Sequence, residues 1–146
     1  MSSTKAYPLV IFDWDGTLYD SSAYIVTCVQ DAARDVGLKV PDAEKIREMI
    51  GLSTQESMKY LFPQITAFES AELSSAYRNQ LSSVSRKPTL FEGAEEQIKD
   101  LAASGYTLAV ATGKGRQGLD RDLQNLALTD YFTVTRCADE CFSKPH

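Results

Sequence analysis

The stretch LVIFDWDGTLYD, residues 9–20, decides the fold, because four apolar residues run directly into two carboxylates. The apolar run is continuous rather than alternating, which is typical of a strand buried on both faces in a parallel sheet covered by helices. In an extended chain residues i and i+2 point to the same side, so Asp13 and Asp15 should converge just past the C-terminal end of this strand. Ligands of open α/β sheets bind at that end. The stretch therefore predicts an α/β fold with a site at this edge of the sheet.

Two carboxylates held this close repel each other. Either one of them takes up a proton, or a cation and fixed hydrogen-bond donors keep both ionised. Both arrangements are typical of active sites. The alternative explanation is that Asp13 and Asp15 only form the turn before Gly16, as Asp and Gly often do.

Length and charge narrow the class of protein. A chain of 146 residues suffices for one ordinary domain with a core. Lys and Arg total 15 against 20 for Asp and Glu, a net charge of −5, so no overall positive field would attract nucleic acid or an anionic membrane. An anionic substrate therefore needs local help from a metal, backbone N–H groups or a few placed lysines. No apolar stretch approaches membrane-spanning length.

The cysteines bear on the cellular compartment. Cys28, Cys137 and Cys141 are an odd number, and the first residues, MSSTKAYPLVIF, lack the long apolar segment of a signal peptide. Both observations predict a cytoplasmic protein with reduced thiols. Cys137, Cys141 and His146 would supply only three soft ligands, and their spacing fits no common zinc pattern, so we do not expect zinc there.

After Asp20 the hydrophobic pattern becomes helical. The sequence predicts a helix from Ser21 or Ser22 to Gly37, a short one over 41–51, a third opened by the capping box STQE at 53–56, and a fourth opened by TAFE at 66–69 and running to about Ser85. Roughly 65 residues of helix then separate the first strand from the rest, which is too many for a crossover connection. They predict a small helical insert.

From Pro88 onward helices and strands alternate. We predict a helix at about 93–104, the strand TLAVAT at 107–112, a helix at about 116–127 and the strand YFTVTR at 131–136. A strand, helix and strand in this order form a parallel pair with a right-handed crossover. The predicted organisation is a core made of residues 1–20 and 88–146, with residues 21–87 as a helical cap.

Three short motifs resemble the signatures of the haloacid dehalogenase-like hydrolases. DWDGTLYD resembles the first signature, VATGK at 110–114 the second, and SKPH at 143–146 the third. The helical insert stands where the family carries its cap, and the chain is most similar to members of the phosphoglycolate-phosphatase type. The resemblance implies a Rossmann-like parallel sheet core with an inserted α-helical cap domain.

The same resemblance implies a mechanism. Asp13 would be the nucleophile that forms an aspartyl-phosphate, and Asp15 the general acid and base. Mg²⁺ would bind the Asp13 carboxylate and the Asp15 backbone carbonyl. Thr112 would donate to a phosphoryl oxygen, and Lys144 would neutralise charge on the nucleophile. The substrate-binding positions implied are Gly16, Thr17, Gly113 and Lys114.

The function expected from the resemblance is that of a Mg²⁺-dependent phosphatase acting on a small phosphorylated metabolite. Two alternatives within this fold stay open. The family's fourth signature, an acidic pair, would lie beyond His146, so the chain is alternatively a non-catalytic or truncated fragment. Phosphomutase chemistry uses the same first signature and is the second alternative.

The glycines of GKGRQG at 113–118 support a further alternative. They match the G-x-G-x-x-G fingerprint of dinucleotide-binding folds, which opens a helix after a strand. That fingerprint requires an acidic residue about 20 positions later, at the end of the next strand. Here the strand ends in Arg136 and Asp139 comes late. The simpler explanation is that the glycines shape a tight turn and let the helix pack.

The sequence also leads to expectations for one loop and for the first strand. The loop IGLS at 50–53 either takes part in substrate recognition or only ends one helix and caps the next. In the family the first strand lies in the middle of the sheet, and the strands that would cover its other side would come after residue 146. In this chain LVIF would then be an exposed apolar edge. An edge of that kind pairs with another chain, so we expect a homodimer, strand exchange or aggregation there unless a helix or a partner covers it.

Overall fold

The computed structural model describes residues 8–83, 88–142 and 144 of the chain. The elements follow in the order β1 (Leu9–Phe12), α1 (Ser22–Asp35), α2 (Ala43–Glu48), α3 (Thr54–Leu61), α4 (Ala67–Ser83), α5 (Ala94–Ala103), β2 (Thr107–Ala111), α6 (Arg116–Asn125) and β3 (Val134–Arg136). Helices α1 to α4 therefore precede the alternation of helix and strand, as the sequence pattern predicted.

The three strands form one parallel sheet in the order β1, β2, β3. Phe12 pairs with Val110, and Ala111 pairs with Arg136. Because parallel strands end at the same edge of a sheet, the residues that follow β1 and β2 lie side by side. The predicted α/β fold is confirmed, and its strand ends bring Asp13 and Thr112 to one edge.

The expectation that β1 is buried on both faces is wrong. Leu9 and Ile11 are 48% and 59% exposed, whereas Val10 and Phe12 pack against the core. The reason is that α5 and α6 supply their apolar side chains to the face that carries Val10 and Phe12. As the edge strand of the described sheet, β1 thus presents an apolar face to solvent. The homodimer expected at this edge stays a prediction.

The strand predicted at 131–136 begins three residues later. Residues Thr129–Tyr131 form a turn of 3₁₀ helix, and β3 starts at Val134. The aromatic and β-branched residues favour a strand by propensity. Packing overrides that preference, because the Phe132 ring inserts edge-on against the rings of Phe12 and Trp14 at centroid distances of 6.4 Å.

Two hydrophobic clusters make up the interior. The first joins the sheet to α5 and α6 and includes Trp14, Ile98, Leu108 and Leu119. The second joins α1 to α4 and includes Val29, Ile46, Met58 and Leu73. Every member of the second cluster falls within 21–87, the predicted cap, and every member of the first falls outside it. The division into two domains itself stays a prediction.

Both predicted capping boxes are present. The Glu56 N–H donates to Ser53 Oγ at 3.3 Å at the start of α3, and the Thr66 N–H donates to Glu69 Oε2 at 2.8 Å at the start of α4. The described part of α4 ends at Ser83, and the expected continuation to about Ser85 lies outside the described residues. Within the described ranges, none of the helices combines the length and apolarity needed to cross a membrane.

Ile98 tests the first cluster. Its side chain is fully buried, so Ile98→Ala should lower the free energy of unfolding by about 3 kcal/mol, through lost burial and the cavity left behind. Ile11→Ala is the matched control, because Ile11 is 59% exposed and should lose less than about 1 kcal/mol. Urea unfolding followed by circular dichroism measures both. Equal losses would show that the β1 face is covered in solution.

Candidate active site

Asp13 lies immediately after β1 and forms an ion pair with Lys144. Its Oδ1 accepts hydrogen bonds from Lys144 Nζ at 2.9 Å and from the Trp14 N–H at 2.8 Å. Lys144 Nζ also donates to the Ala111 carbonyl at 3.2 Å, at the end of β2. The other carboxylate oxygen, Oδ2, accepts no hydrogen bond from the described residues. The first and third sequence motifs therefore meet here, although Ser143, Pro145 and His146 of the third lie outside the described residues.

Asp15 forms a separate and more deeply buried ion pair. Lys114 Nζ lies 3.2 and 3.4 Å from its two carboxylate oxygens. The two side chains are 11% and 15% exposed, against 31% for Asp13 and 38% for Lys144. Each of the two repelling carboxylates predicted from the sequence therefore has its own lysine.

Thr112 follows β2 and is 5% exposed. Its N–H donates to the Arg136 carbonyl, and its Oγ1 accepts from the Lys114 N–H at 3.1 Å. This second bond turns the chain back so that the Lys114 side chain reaches Asp15. Thr112 thus shapes the loop that follows β2, and its role toward a phosphoryl group stays a prediction.

The turn after Asp15 contains the other two positions implied by the first motif. Gly16 has a φ of 78°, which L side chains rarely adopt, and its N–H donates to the Tyr19 carbonyl. Thr17 is exposed in the same turn, with its N–H bonded to the Trp14 carbonyl. The described contacts of Thr17 do not extend to the two ion pairs.

The loop between α2 and α3 lies directly over these motifs. A Cβ placed on Gly113 would lie 2.5 Å from the carbonyl oxygens of both Gly51 and Leu52. A Cβ on Gly51 would lie 3.7 Å from Asp13 Oδ2. Both explanations given for IGLS therefore have a basis: Ser53 caps α3, and the loop also covers the site. Its part in substrate recognition stays a prediction.

Asp122 is a site residue that the sequence motifs missed. It lies on α6, is 4% exposed, and places Oδ2 3.3 Å from Lys114 Nζ and 3.2 Å from Trp14 Nε1. Burial raises the pKa of its carboxyl group, and Lys114 and the indole N–H offset this only in part. Two signals pointed to it: a charged residue beside Leu119 and Leu123 on the apolar face of a helix, and an indole N–H that needs an acceptor once it is buried.

The glycines of GKGRQG have structural roles. Gly113 admits the carbonyls of the α2–α3 loop, and Gly118 leaves space for the Lys114 side chain, whose Cε would lie 3.0 Å from a Cβ there. The first N–H of α6, that of Arg116, donates to both oxygens of Asp139 at 3.0 and 3.1 Å. A dinucleotide would place its pyrophosphate at this helix terminus, which already holds a carboxylate. The geometry therefore favours the simpler explanation of these glycines.

Arg116 also anchors the segment after β3. Its guanidinium donates to Glu140 at 2.9 and 2.6 Å, and this pairing lowers the pKa of Glu140 to about 2. Cys137 is buried, and burial raises the pKa of its thiol to about 11. Within the described residues no three His, Cys, Asp or Glu side chains gather as metal ligands, and His146 lies outside that part of the chain.

A cavity of about 360 Å³ opens in front of Asp15, between the two hydrophobic clusters. Thr112, Gly113 and Lys114 line it from the sheet edge. Helices of the second cluster close the other side with Ser57, Tyr77 and Arg78, and Arg121 of α6 also borders it. The volume suits a small molecule.

A family model identifies the class of protein to which this chain belongs. Residues 10–146 match the family model of haloacid dehalogenase-like hydrolases. The chain belongs to the haloacid dehalogenase-like hydrolase family.

Individual relatives agree with this assignment. The chain is 37% identical to the "Probable phosphatase IndB" of Dickeya dadantii over 149 residues, with 95% of this chain and 63% of that protein covered. It is 30% identical to a phosphoglycolate phosphatase of Agrobacterium fabrum over 158 residues, with 99% and 65% covered. The chain thus spans somewhat less than two thirds of both relatives.

A solved structure supports the fold. The crystal structure of a predicted phosphoglycolate phosphatase from Haemophilus somnus 129pt superimposes with a TM-score of 0.84 at 22% identity. The superposition covers 99% of this chain and 68% of that one. At this identity the likeness establishes the shared architecture.

Gly113 tests the contact between the loop and the site. Gly113→Ala should destabilise the protein by about 2 kcal/mol, because the added Cβ forces the carbonyls of Gly51 and Leu52 away. Gly115→Ala is the control, since a Cβ there meets its nearest atom, Asp139 Oδ2, at an ordinary 3.5 Å. Thermal unfolding compares the stabilities, and hydrogen exchange at 51–52 locates the change. A Gly113→Ala protein as stable as the control would mean that this loop stands away from Gly113 in solution.

Proposed function

We propose that this protein hydrolyses a small phosphate monoester of the phosphoglycolate type through an aspartyl-phosphate on Asp13. The observation that carries the proposal is the ion pair of Asp13 with Lys144 at 2.9 Å, beside Thr112 at the carboxyl edge of a parallel sheet. Membership of the hydrolase family and the name of the Agrobacterium relative support the reaction class and the type of substrate.

The first step is phosphoryl transfer to Asp13. Its Oδ2, which accepts no hydrogen bond from the described residues, attacks phosphorus while the bond from phosphorus to the leaving oxygen breaks. Asp15 in its protonated form gives its proton to that oxygen, so the product leaves with a hydroxyl group rather than as an alkoxide. Lys144 balances negative charge on the nucleophile and on the group in transfer.

The second step is hydrolysis of the aspartyl-phosphate. Asp15, now a carboxylate, takes a proton from a water molecule whose oxygen attacks phosphorus. The bond from phosphorus to Asp13 breaks, inorganic phosphate leaves, and both carboxyl groups return to their starting forms. The loop of Gly51 and Leu52 limits access of other water to this region.

Mg²⁺ is part of the proposal. The chain provides hard oxygen donors of the kind that Mg²⁺ prefers, namely the Asp13 carboxylate and the Asp15 backbone carbonyl, and Mg²⁺ needs only one or two carboxylates when substrate oxygens and water complete its shell. These donors therefore fit the ion. When bound, Mg²⁺ would polarise the phosphoryl group and offset its charge.

Two arginines support an anionic leaving group. Arg78 of α4 and Arg121 of α6 border the cavity, and neither forms an ion pair within the described residues. Lys114 and Lys144, by contrast, are already paired with carboxylates. The two arginines are therefore the cations available to the carboxylate of a substrate such as phosphoglycolate.

Asp13 provides the first test of the reaction. Asp13→Asn should lower turnover of phosphoglycolate with Mg²⁺ by at least about 1,000-fold, because an amide does not act as the nucleophile. Asp20→Asn is the control, since Asp20 is an exposed carboxylate of the same motif. Release of inorganic phosphate measures turnover, and thermal unfolding checks the fold. An Asp13→Asn protein with wild-type turnover would exclude the covalent mechanism. Transfer of the phosphoryl group to a sugar phosphate by the wild-type protein, without release of inorganic phosphate, would indicate a phosphomutase.

The arginines provide the second test. Arg78→Ala and Arg121→Ala should each lower kcat/KM for phosphoglycolate by about 10-fold, because each loses a charged hydrogen bond. The kcat/KM for ethyl phosphate, which lacks the carboxylate, should change by less than about 2-fold. Arg34→Ala is the control, because Arg34 pairs with Asp31 on the surface of α1. Equal losses on both esters would show that the arginines do not select for a second anion.

A further inference from the structure

A buried charge cluster lies behind Asp15. Its members are Asp15, Lys114 and Asp122, whose side chains are 11%, 15% and 6% exposed. Lys114 Nζ lies 3.2 and 3.4 Å from the Asp15 oxygens and 3.3 Å from Asp122 Oδ2. All three distances exceed the roughly 2.7–2.9 Å of a fully formed ammonium–carboxylate bond, so the ammonium is shared between the two carboxylates.

Asp122 is held in place from the core side. The Trp14 Nε1 donates to its Oδ2 at 3.2 Å, the same oxygen that faces Lys114. The indole itself is fully buried and packs against the rings of Tyr19 and Phe132. Because the core fixes Trp14, the position of the Asp122 carboxylate is fixed as well.

Lys114 is confined along its whole length. Gly118 leaves a groove for its methylene groups, since a Cβ there would lie 3.0 to 3.5 Å from them. The Tyr19 ring lies 5.3 Å from Nζ, within range of a cation–π interaction. Burial acts to lower the pKa of Lys114, but Asp15 and Asp122 outweigh it and raise this pKa above its usual value.

The Asp122 carboxylate is not needed to neutralise the charge of Asp15. Lys114 alone would do so, and burying a further charge is unfavourable unless it gains enough from its partners. Asp122 instead attracts the Lys114 ammonium and holds it at a fixed position between α6 and the sheet edge. Asp15 borders the cavity and contacts the same ammonium at 3.2 Å.

We propose that Trp14, Asp122 and Lys114 are positioning residues that form one chain of contacts, and that this chain holds the Asp15 carboxyl group toward the leaving oxygen of the substrate. The inference rests on the proposed role of Asp15 as general acid and base. It assigns Lys114 to Asp15 rather than to the phosphoryl group. It also gives a function to the Trp14 side chain within the first motif and to Asp122, which lies outside the three motifs.

The test compares two esters that differ in their need for a proton. The alcohol released from 2-phosphoglycolate must be protonated as it leaves, whereas 4-nitrophenolate leaves 4-nitrophenyl phosphate as a stable anion. The quantity measured is kcat/KM, which reports the steps up to departure of the leaving group and not the later hydrolysis of the aspartyl-phosphate. General acid catalysis contributes about 100-fold or more to such a step.

Lys114→Met and Asp122→Asn should each lower kcat/KM for phosphoglycolate by at least about 30-fold and for 4-nitrophenyl phosphate by no more than about 3-fold. Trp14→Phe, which removes only the indole donor, should show the same selectivity with a smaller loss. The double variant with Trp14→Phe and Asp122→Asn should lose little more kcat/KM than Asp122→Asn alone, because the two residues act through one contact. Asp120→Asn is the matched control on α6, where Asp120 pairs with Arg116 at the surface and its side chain is 48% exposed.

The outcomes separate the possible roles. Equal losses on both esters, or a higher KM for both, would show that Lys114 binds the phosphoryl group or only supports the fold, and would overturn the inference. Unchanged kcat/KM values would overturn it too. If Lys114→Met fails to fold in a thermal unfolding assay, Asp122→Asn and Trp14→Phe carry the same comparison. A wild-type protein inactive on both esters would instead count against the proposed function itself.

Discussion

Repulsion between Asp13 and Asp15 is the constraint on which this structure depends. Two carboxylates two residues apart at the end of a strand are held together more easily when cations lie beside them, and the chain provides one lysine for each. Lys144 reaches Asp13 from beyond β3, and Lys114 reaches Asp15 from the loop after β2. Neither lysine is near in sequence. The parallel sheet makes both contacts available, because it brings the ends of its strands to one edge.

The two ion pairs differ in burial, and this difference suits the roles proposed for Asp13 and Asp15. The pair of Asp13 with Lys144 is about one-third exposed, so solvent screens it and an incoming phosphate group can compete for the lysine. The pair of Asp15 with Lys114 is buried, where charge interactions are screened less, and Asp122 and Trp14 fix it further. In the proposed mechanism the nucleophile, Asp13, must be accessible to phosphorus, whereas the proton donor, Asp15, must be held in one direction.

The features that sequence reasoning predicted are those encoded locally. The two capping boxes, the strand before Asp13 and the alternation after Pro88 follow from short patterns, and the structure contains them all. The features that it missed depend on tertiary packing. The exposure of Ile11 depends on which face the helices cover, and the late start of β3 depends on where the Phe132 ring inserts. Asp122 was missed because its partners, Trp14 and Lys114, meet it only in the folded chain.

The glycine of the TGK sequence connects the helical insert to the sheet motifs. At Gly113 the backbone carbonyls of Gly51 and Leu52 stand where any larger residue would place its Cβ. The same loop approaches the first motif, because a Cβ on Gly16 would lie 3.5 Å from Ile50 Cγ2 and one on Gly51 would lie 3.7 Å from Asp13 Oδ2. Residue size at Gly113 therefore controls how closely the loop covers the carboxylates. A side chain at position 113 would hold the loop away and admit water to Asp13, so the missing Cβ is as much a part of the site as the charged groups.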